Sequence, residues 1–210
     1  MTQKTIVFDF GGVIFRTSVT EFYRERFAKQ GRSEEELKFF LATVLPHAEL
    51  SATHVGDTGP LLLEKAEQYP EWAEEILAIG ADREFLRQVR NVLPGMAEVL
   101  EDLDKDGYRI VGLTNWAGDT YDTLPKGFPD ILGHFNQVVV SGKVHLRKPD
   151  PAIFTLAQEV FGNPNPEDVY YFDDKQKNVE IARQTVGWNS FVFKDAGTVR
   201  QALALQPKPF

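Results

Sequence analysis

Hydrophobic residues along this chain fall into two kinds of run. Five runs are short and nearly continuous: TIVFDF at 5–10, YRIVGL at 108–113, QVVV at 137–140, VYYF at 169–172 and SFVF at 190–193. They are rich in β-branched and aromatic residues and show no clean alternation. That is the pattern of strands covered on both faces, as in a parallel sheet. Between them the apolar positions recur at helical spacing. GMAEVLEDLDKDG (95–107) places Met96, Val99, Leu100 and Leu103 on one face and ends at Gly107. PAIFTLAQEVFG (151–162) opens on Pro151 and closes on Gly162, as a helix should. DKQKNVEIARQTVG (174–187) repeats the pattern, with Asp174 as the expected N-cap and Gly187 as the stop. Strands alternating with helices predict an α/β fold built on a doubly wound, Rossmann-like parallel sheet.

The first strand breaks this rhythm. After IVFDFGGVIF (6–15) no further convincing strand is expected until about residue 108. The segments SVTEFYRERFAKQG, SEEELKFFLATVL, GPLLLEKAEQY, PEWAEEILAIG and DREFLRQVRNVL all read as helix. A structureless loop of such length inside a compact chain would be improbable. The pattern therefore predicts a helical cap over 16–92, inserted into a core made of 1–15 and 93–210. The tail QPKPF (206–210) is expected to fray.

Composition narrows the classes. The chain has 210 residues, is 42% hydrophobic and 26% charged, and is long enough to bury a sizeable core without staples. It contains no cysteine, which excludes disulfides and thiolate metal sites. His47, His54, His134 and His145 show no close metal-ligand spacing. A formal net charge of -8 argues against nucleic acid as a partner. No run approaches the roughly 18 apolar residues of a membrane span. The N-terminus enters the first strand without a signal-peptide pattern, so a cytoplasmic protein is expected.

In an open parallel sheet, ligands bind outside the carboxyl ends of the strands. Strand one ends in Asp9. Strand two is followed by Thr114-Asn115, strand three by a loop holding Lys148, and strand four by Asp173-Asp174. Each has an ordinary explanation as a turn former, a helix cap or a solvated lysine. All must hold together on one sheet edge, which disfavours them jointly. Adjacent carboxylates also repel each other unless a cation sits between them. The set has a chemical logic. A carboxylate can act as a nucleophile toward a phosphoryl group. A hard cation such as Mg²⁺ and the Lys148 ammonium would relieve the repulsion between the anions. Thr114 and backbone N–H groups could hold phosphoryl oxygens. Gly11 and Gly12 let the backbone approach a ligand closely.

These residues resemble the haloacid dehalogenase-like hydrolase superfamily. Its four motifs appear here in order as IVFDFGGVI (6–14), GLTNW (112–116), RKPDPAIF (147–154) and YYFDDKQKN (170–178). The similarity is greatest to the branch that includes the epoxide-hydrolase-N-terminal-domain-like and glucose-1-phosphate phosphatases. The resemblance covers the sheet core, and the inserted helices lie where this superfamily often carries a cap. It implies Asp9 as nucleophile, Thr114 and the Asn115 N–H as phosphoryl holders, and Lys148 as the stabiliser of their charge. It implies Mg²⁺ served by Asp9, the Gly11 carbonyl, Asp173 and Asp174. Asp174 is the expected direct ligand and Asp173 the residue that orients Lys148, an assignment the sequence leaves open. Asn178 is expected to support that loop.

Gly11 departs from the pattern. Most phosphatases of the superfamily have a second Asp there, which protonates the leaving group and later activates water. The expected function is a Mg²⁺-dependent phosphatase acting on a small phosphomonoester, such as a sugar phosphate, through an aspartyl-phosphate. Two alternatives remain open. A metal-independent 2-haloacid dehalogenase needs no acid at position 11, because halide leaves without a proton. A non-catalytic phospholigand-binding relative would explain the glycine as lost turnover. Substrate identity is expected to lie in the cap. Phe15, Arg16, His47 and Trp116 could face the substrate, although packing or surface positions are their ordinary reading.

Overall fold

The computed structural model describes residues 3–80 and 84–205. The central sheet has the order β5-β4-β1-β6-β7, and every pairing in it is parallel. Its strands are β1 (Thr5–Phe8), β4 (Arg109–Thr114), β5 (Gln137–Val140), β6 (Val169–Asp173) and β7 (Asn189–Val192). The five apolar runs became these strands within a residue or two at most ends. Strand β1 is fully buried because β4 and β6 flank it in the sheet and helices cover both faces. One face packs Ile6, Phe8 and Phe172 against Met96, Val99, Leu100 and Leu103 of α6 (Met96–Lys105). The other packs Val7, Val111 and Tyr171 against Ile153, Phe154 and Ala157 of α11 (Pro151–Val160) and Ala182 of α12 (Gln176–Val186). Four single-turn helices, α7 to α10, occupy Gly118–Tyr121, Leu124–Gly127, Pro129–Leu132 and Ser141–Val144; α13 covers Ala196–Ala202.

The segment after β1 carries helices α1 (Val19–Lys29), α2 (Glu34–Phe39), α3 (His47–Ala52), α4 (Gly59–Gln68) and α5 (Ala73–Ala78). These helices have a core of their own. Tyr23, Phe27, Phe40, Leu62, Trp72 and Ile76 form a buried cluster, with the Phe27 ring stacked on Trp72 at 5.7 Å. Ser33 and Glu36 make a reciprocal cap at the start of α2.

Two expectations need correction here. Helix was expected through 82–93, and no strand between 15 and 108. Among the described residues, that segment is a 3-10 turn at Phe85–Gln88 followed by β3 (Val89–Val92). Strand β3 pairs antiparallel with β2 (Phe15–Thr17), so a two-stranded ribbon carries the chain into and out of the helical segment. Val89 and Val92 suit a strand, but a four-residue run gives too little pattern to tell it from a helix turn. The second correction concerns Asp174, the expected N-cap. Helix α12 begins at Gln176, its N-cap position is Lys175, and no side chain caps it. Asp173 instead accepts from the Lys175 N–H at 2.8 Å, which leaves Asp174 free for other work. The expected frayed tail lies outside the described residues.

Candidate active site

Parallel pairing puts the carboxyl ends of β1, β4 and β6 on one edge of the sheet. Asp9 follows β1, and its N–H still donates to the Phe172 carbonyl at 3.0 Å. Thr114 ends β4 and Asp173 ends β6. The Lys148 side chain, fully buried, reaches in from the loop before α11.

Lys148 Nζ has three partners and an ammonium has three protons. It donates to the Leu113 carbonyl at 2.7 Å and to Asp173 Oδ2 at 2.7 Å, and lies 3.0 Å from Asp9 Oδ1. Burial works against its charge. The carboxylates of Asp9 and Asp173 outweigh burial and raise its pKa, so it stays protonated. Its backbone is held as well. The Asn115 side chain accepts from the Lys148 N–H at 2.9 Å and donates to the Lys148 carbonyl at 2.8 Å.

The three carboxylates differ sharply. Asp173 is saturated: it accepts from Lys148, the Tyr171 hydroxyl, the Lys175 N–H and Asn178 Nδ2 at 2.9 and 3.0 Å. Burial opposes its charge, but Lys148 and these hydrogen bonds prevail and hold its pKa below the usual carboxylate value. Asn178 does support the loop, through Asp173. Asp9 accepts from the Phe10 N–H at 2.7 Å and from Lys148, both on Oδ1, so Oδ2 is left without a protein partner among the described residues. Burial pushes its pKa up to about 6, against the opposing pull of Lys148. Asp174 is exposed, and partial desolvation raises its pKa.

Carboxylate oxygens from Asp9, Asp173 and Asp174 lie within 4.8 Å of one another. This set suits a hard divalent cation that prefers oxygen ligands, and such an ion would relieve the repulsion between Asp9 and Asp174. Asp173 already has its lone pairs engaged, so Asp9 and Asp174 are the carboxylates with oxygens to give. The Thr114 hydroxyl is buried and has no hydrogen-bond partner among the described residues, an orphan that a ligand oxygen at this edge would satisfy.

A cavity of about 600 Å³ opens over this edge, within the size range of small-molecule sites. Asp9, Gly11, Gly12, Asn115 and Asp174 form its floor, and Thr53, His54 and Thr58 contribute from the helical segment. Gly12 has φ +79, and a Cβ there would sit 2.9 Å from Asp174 Oδ2, so glycine is required. Gly11 is different: a Cβ there would meet nothing within 4 Å. Of the four residues named as possible substrate contacts, Arg16, His47 and Trp116 line the cavity. Phe15 does not. It is buried in the core against Phe128, with ring centres 4.8 Å apart.

Sequence reasoning missed His54, Arg147, Lys175 and Lys194, which also line the cavity. Arg147 and Lys175 adjoin residues that were singled out, and that adjacency was the available signal. His54 gave none, because a lone histidine in a helical segment has no local pattern.

The chain belongs to the haloacid dehalogenase-like hydrolase family, whose model matches residues 3–184. A phosphoserine phosphatase of Thermus thermophilus is 32% identical over 123 residues, which is 58% of this chain and 47% of that relative. The chain thus matches about half the length of that protein. Among solved structures, a HAD family enzyme from Bacteroides thetaiotaomicron superposes with a TM-score of 0.68 at 15% identity, covering 97% of this chain and 99% of that one. A variant of the same enzyme, in complex with magnesium and inorganic phosphate, gives a TM-score of 0.65 at 20% identity, covering 92% and 95% of the two chains. At these identities the likeness is one of fold. Among the described residues, no helix is long and apolar enough to cross a membrane.

Proposed function

We propose that this protein is a Mg²⁺-dependent phosphatase of small phosphomonoesters. Asp9 is its nucleophile, and 16–92 is the cap that selects the substrate over a core of 1–15 and 93–210. The observation that carries the reading is the carboxylate triad beside a fully committed lysine. The single charge of Lys148 is shared between Asp173 and Asp9, 2.7 and 3.0 Å away, and among the described residues Asp174 makes no ion pair of comparable closeness. A halide-displacing site would give Asp174 no role. The phosphatase relative and the magnesium and phosphate complex of the fold neighbour support the same reading.

Asp9, Asp174 and the Gly11 carbonyl would hold the ion, with Asp173 fixing Lys148 behind them. When bound, Mg²⁺ would neutralise charge on the phosphoryl oxygens. Lys148 pins Asp9 by Oδ1 and leaves Oδ2 free. That oxygen attacks phosphorus while the bond from phosphorus to the leaving oxygen breaks, which forms an aspartyl-phosphate. The Thr114 hydroxyl and the Asn115 N–H receive phosphoryl oxygens. Water then displaces Asp9 from phosphorus and releases inorganic phosphate. Gly11 offers no acid to the leaving oxygen, so leaving groups of low basicity, such as an anomeric sugar oxygen, should be preferred.

The test is turnover of an activated aryl phosphate with Mg²⁺ and with chelator, beside chloride release from a 2-haloacid. Phosphate release that chelator stops is expected, and Asp9→Asn should abolish it. Chelator-insensitive chloride release would sink the reading. Silence in both assays, across a panel of sugar phosphates, would favour a binding protein instead.

A further inference from the structure

The chain carries a formal charge of -8, yet its cavity has the opposite character. Asp9 and Asp174 are the only acids among the described residues that line it, and both face the proposed metal site. Arg16, Arg147, Lys175 and Lys194 line it too. Arg16 is paired with Glu21. Among the described residues Arg147, Lys175 and Lys194 make no close ion pair, although the Lys175 charge is felt by the neighbouring Asp174; Arg147 donates only to the Ser51 carbonyl, at 3.5 Å. A divalent ion would balance Asp9 and Asp174, and Asp173 balances Lys148. A phosphomonoester dianion would then face more positive charge than it can neutralise.

Two of these cations flank residues of the proposed site: Arg147 directly precedes Lys148 and Lys175 directly follows Asp174, and both line the cavity together with His54 of the 3-10 turn Thr53–Val55. Burial first, and then the charges of Arg147 and Lys175, press the His54 pKa down to about 4. The imidazole is therefore neutral at pH 7, a polar group beside two cations rather than a third cation. The cavity is also far larger than a phosphate needs, so the organic part of a substrate has room to reach this corner.

We propose that the substrate carries a second anionic group, a carboxylate or another phosphate, which Arg147 and Lys175 receive beside His54 at the seam between sheet and helical segment. The inference rests on the phosphatase reading and narrows its substrate class. It separates an acidic phosphomonoester from a neutral sugar phosphate, whose hydroxyls would leave both cations unmatched.

The test is calorimetric titration of the full chain with Mg²⁺ at physiological salt, where long-range steering is screened. Two non-hydrolysable probes of matched length are compared, 2-carboxyethylphosphonate and propylphosphonate. The carboxylate should bind about ten- to hundredfold more tightly, the scale of charge-assisted hydrogen bonds. Ethane-1,2-diphosphonate shows which second anion is preferred. In the Arg147→Gln/Lys175→Gln variant the advantage should nearly vanish, and Arg147→Lys should keep most of it. Both side chains are exposed, and the single variants serve if the double one unfolds early. Equal binding of the two probes by the parent chain overturns this inference and leaves the phosphatase reading standing. Binding of neither overturns the phosphoryl site itself. A double variant that keeps the full advantage overturns the assignment to these two residues.

Discussion

Gly11 divides two tasks that one residue usually combines. Its carbonyl can still face a metal, and it has no carboxyl to give a proton. The space beside it is open, and its backbone is outside the left-handed region, so an aspartate fits there. Gly11→Asp should therefore speed turnover of esters with basic leaving groups by about 10²–10⁴-fold, the usual contribution of general acid catalysis. Aryl phosphates, which leave readily, should gain far less. Steady-state kinetics on an alkyl and an aryl phosphate decides this, and an equal effect on both would show that protonation is not what position 11 lacks. Gly12 is the contrasting neighbour. Its positive φ and the closeness of Asp174 make even alanine costly. Asp9 belongs to this scale as well. Its buried charge is held against a desolvation cost, so Asp9→Asn should lose turnover while keeping or raising the thermal midpoint, as functional sites often trade stability for reactivity.

At the scale of elements, the sheet core and the helical segment are locked together by a carboxylate at a helix start. Helix α4 has no side-chain cap from Thr58. Instead Asp119 of α7, on the sheet side, accepts from the N–H groups of Thr58 at 3.0 Å and Gly59 at 2.8 Å. Asp57 returns the contact by accepting from the Asp119 N–H at 2.9 Å. Asp119→Ala leaves these donors unmatched and should cost about 1 kcal/mol, as lost N-caps do. The loss should appear as a lower thermal midpoint and faster protease cleavage near residues 55–59. Unchanged cleavage would mean that the contact does not restrain the two parts. The strand ribbon is the second link, and it was not legible in the sequence. Strands of three and four residues are too short to declare a period, and their partners lie some seventy positions apart.

At the scale of the whole molecule, the seam between sheet and helical segment couples pH to stability. Unfolded, His54 titrates near 6.5; folded, it titrates near 4. Between these values the unfolded chain binds more protons, so this group's contribution is complete above pH 6.5 and is lost as pH falls toward 4. Asp9 acts in the opposite sense. Its folded pKa of about 6 lies above the ordinary 3.8, so its ionisation costs stability as pH rises through that interval. Denaturant melts from pH 7 to 4 should show a shallower acid loss for His54→Gln than for the parent chain. An identical slope would remove His54 from this account.

Local chemistry explains how far the sequence alone reached. Asp9, Thr114 and Asp173-Asp174 were legible because each stands at or just beyond the end of a strand whose apolar run is unmistakable, and parallel strands end on a common edge; Lys148 was legible as the lysine of the loop that follows the third run. The helices of the core and the existence of the helical insertion followed from periodicity and from helix-ending glycines. Tertiary structure alone decided which carboxylate is spent and which is free. Asp173 and Asp174 are neighbours in the chain, but strand β6 turns one inward to Lys148, Tyr171 and Asn178 and leaves the other exposed at the cavity floor. It alone also put His54, Arg147 and Lys175 around one cavity. Local pattern records which way a residue faces along its own element, whereas charges that meet across a seam are set by how distant elements pack.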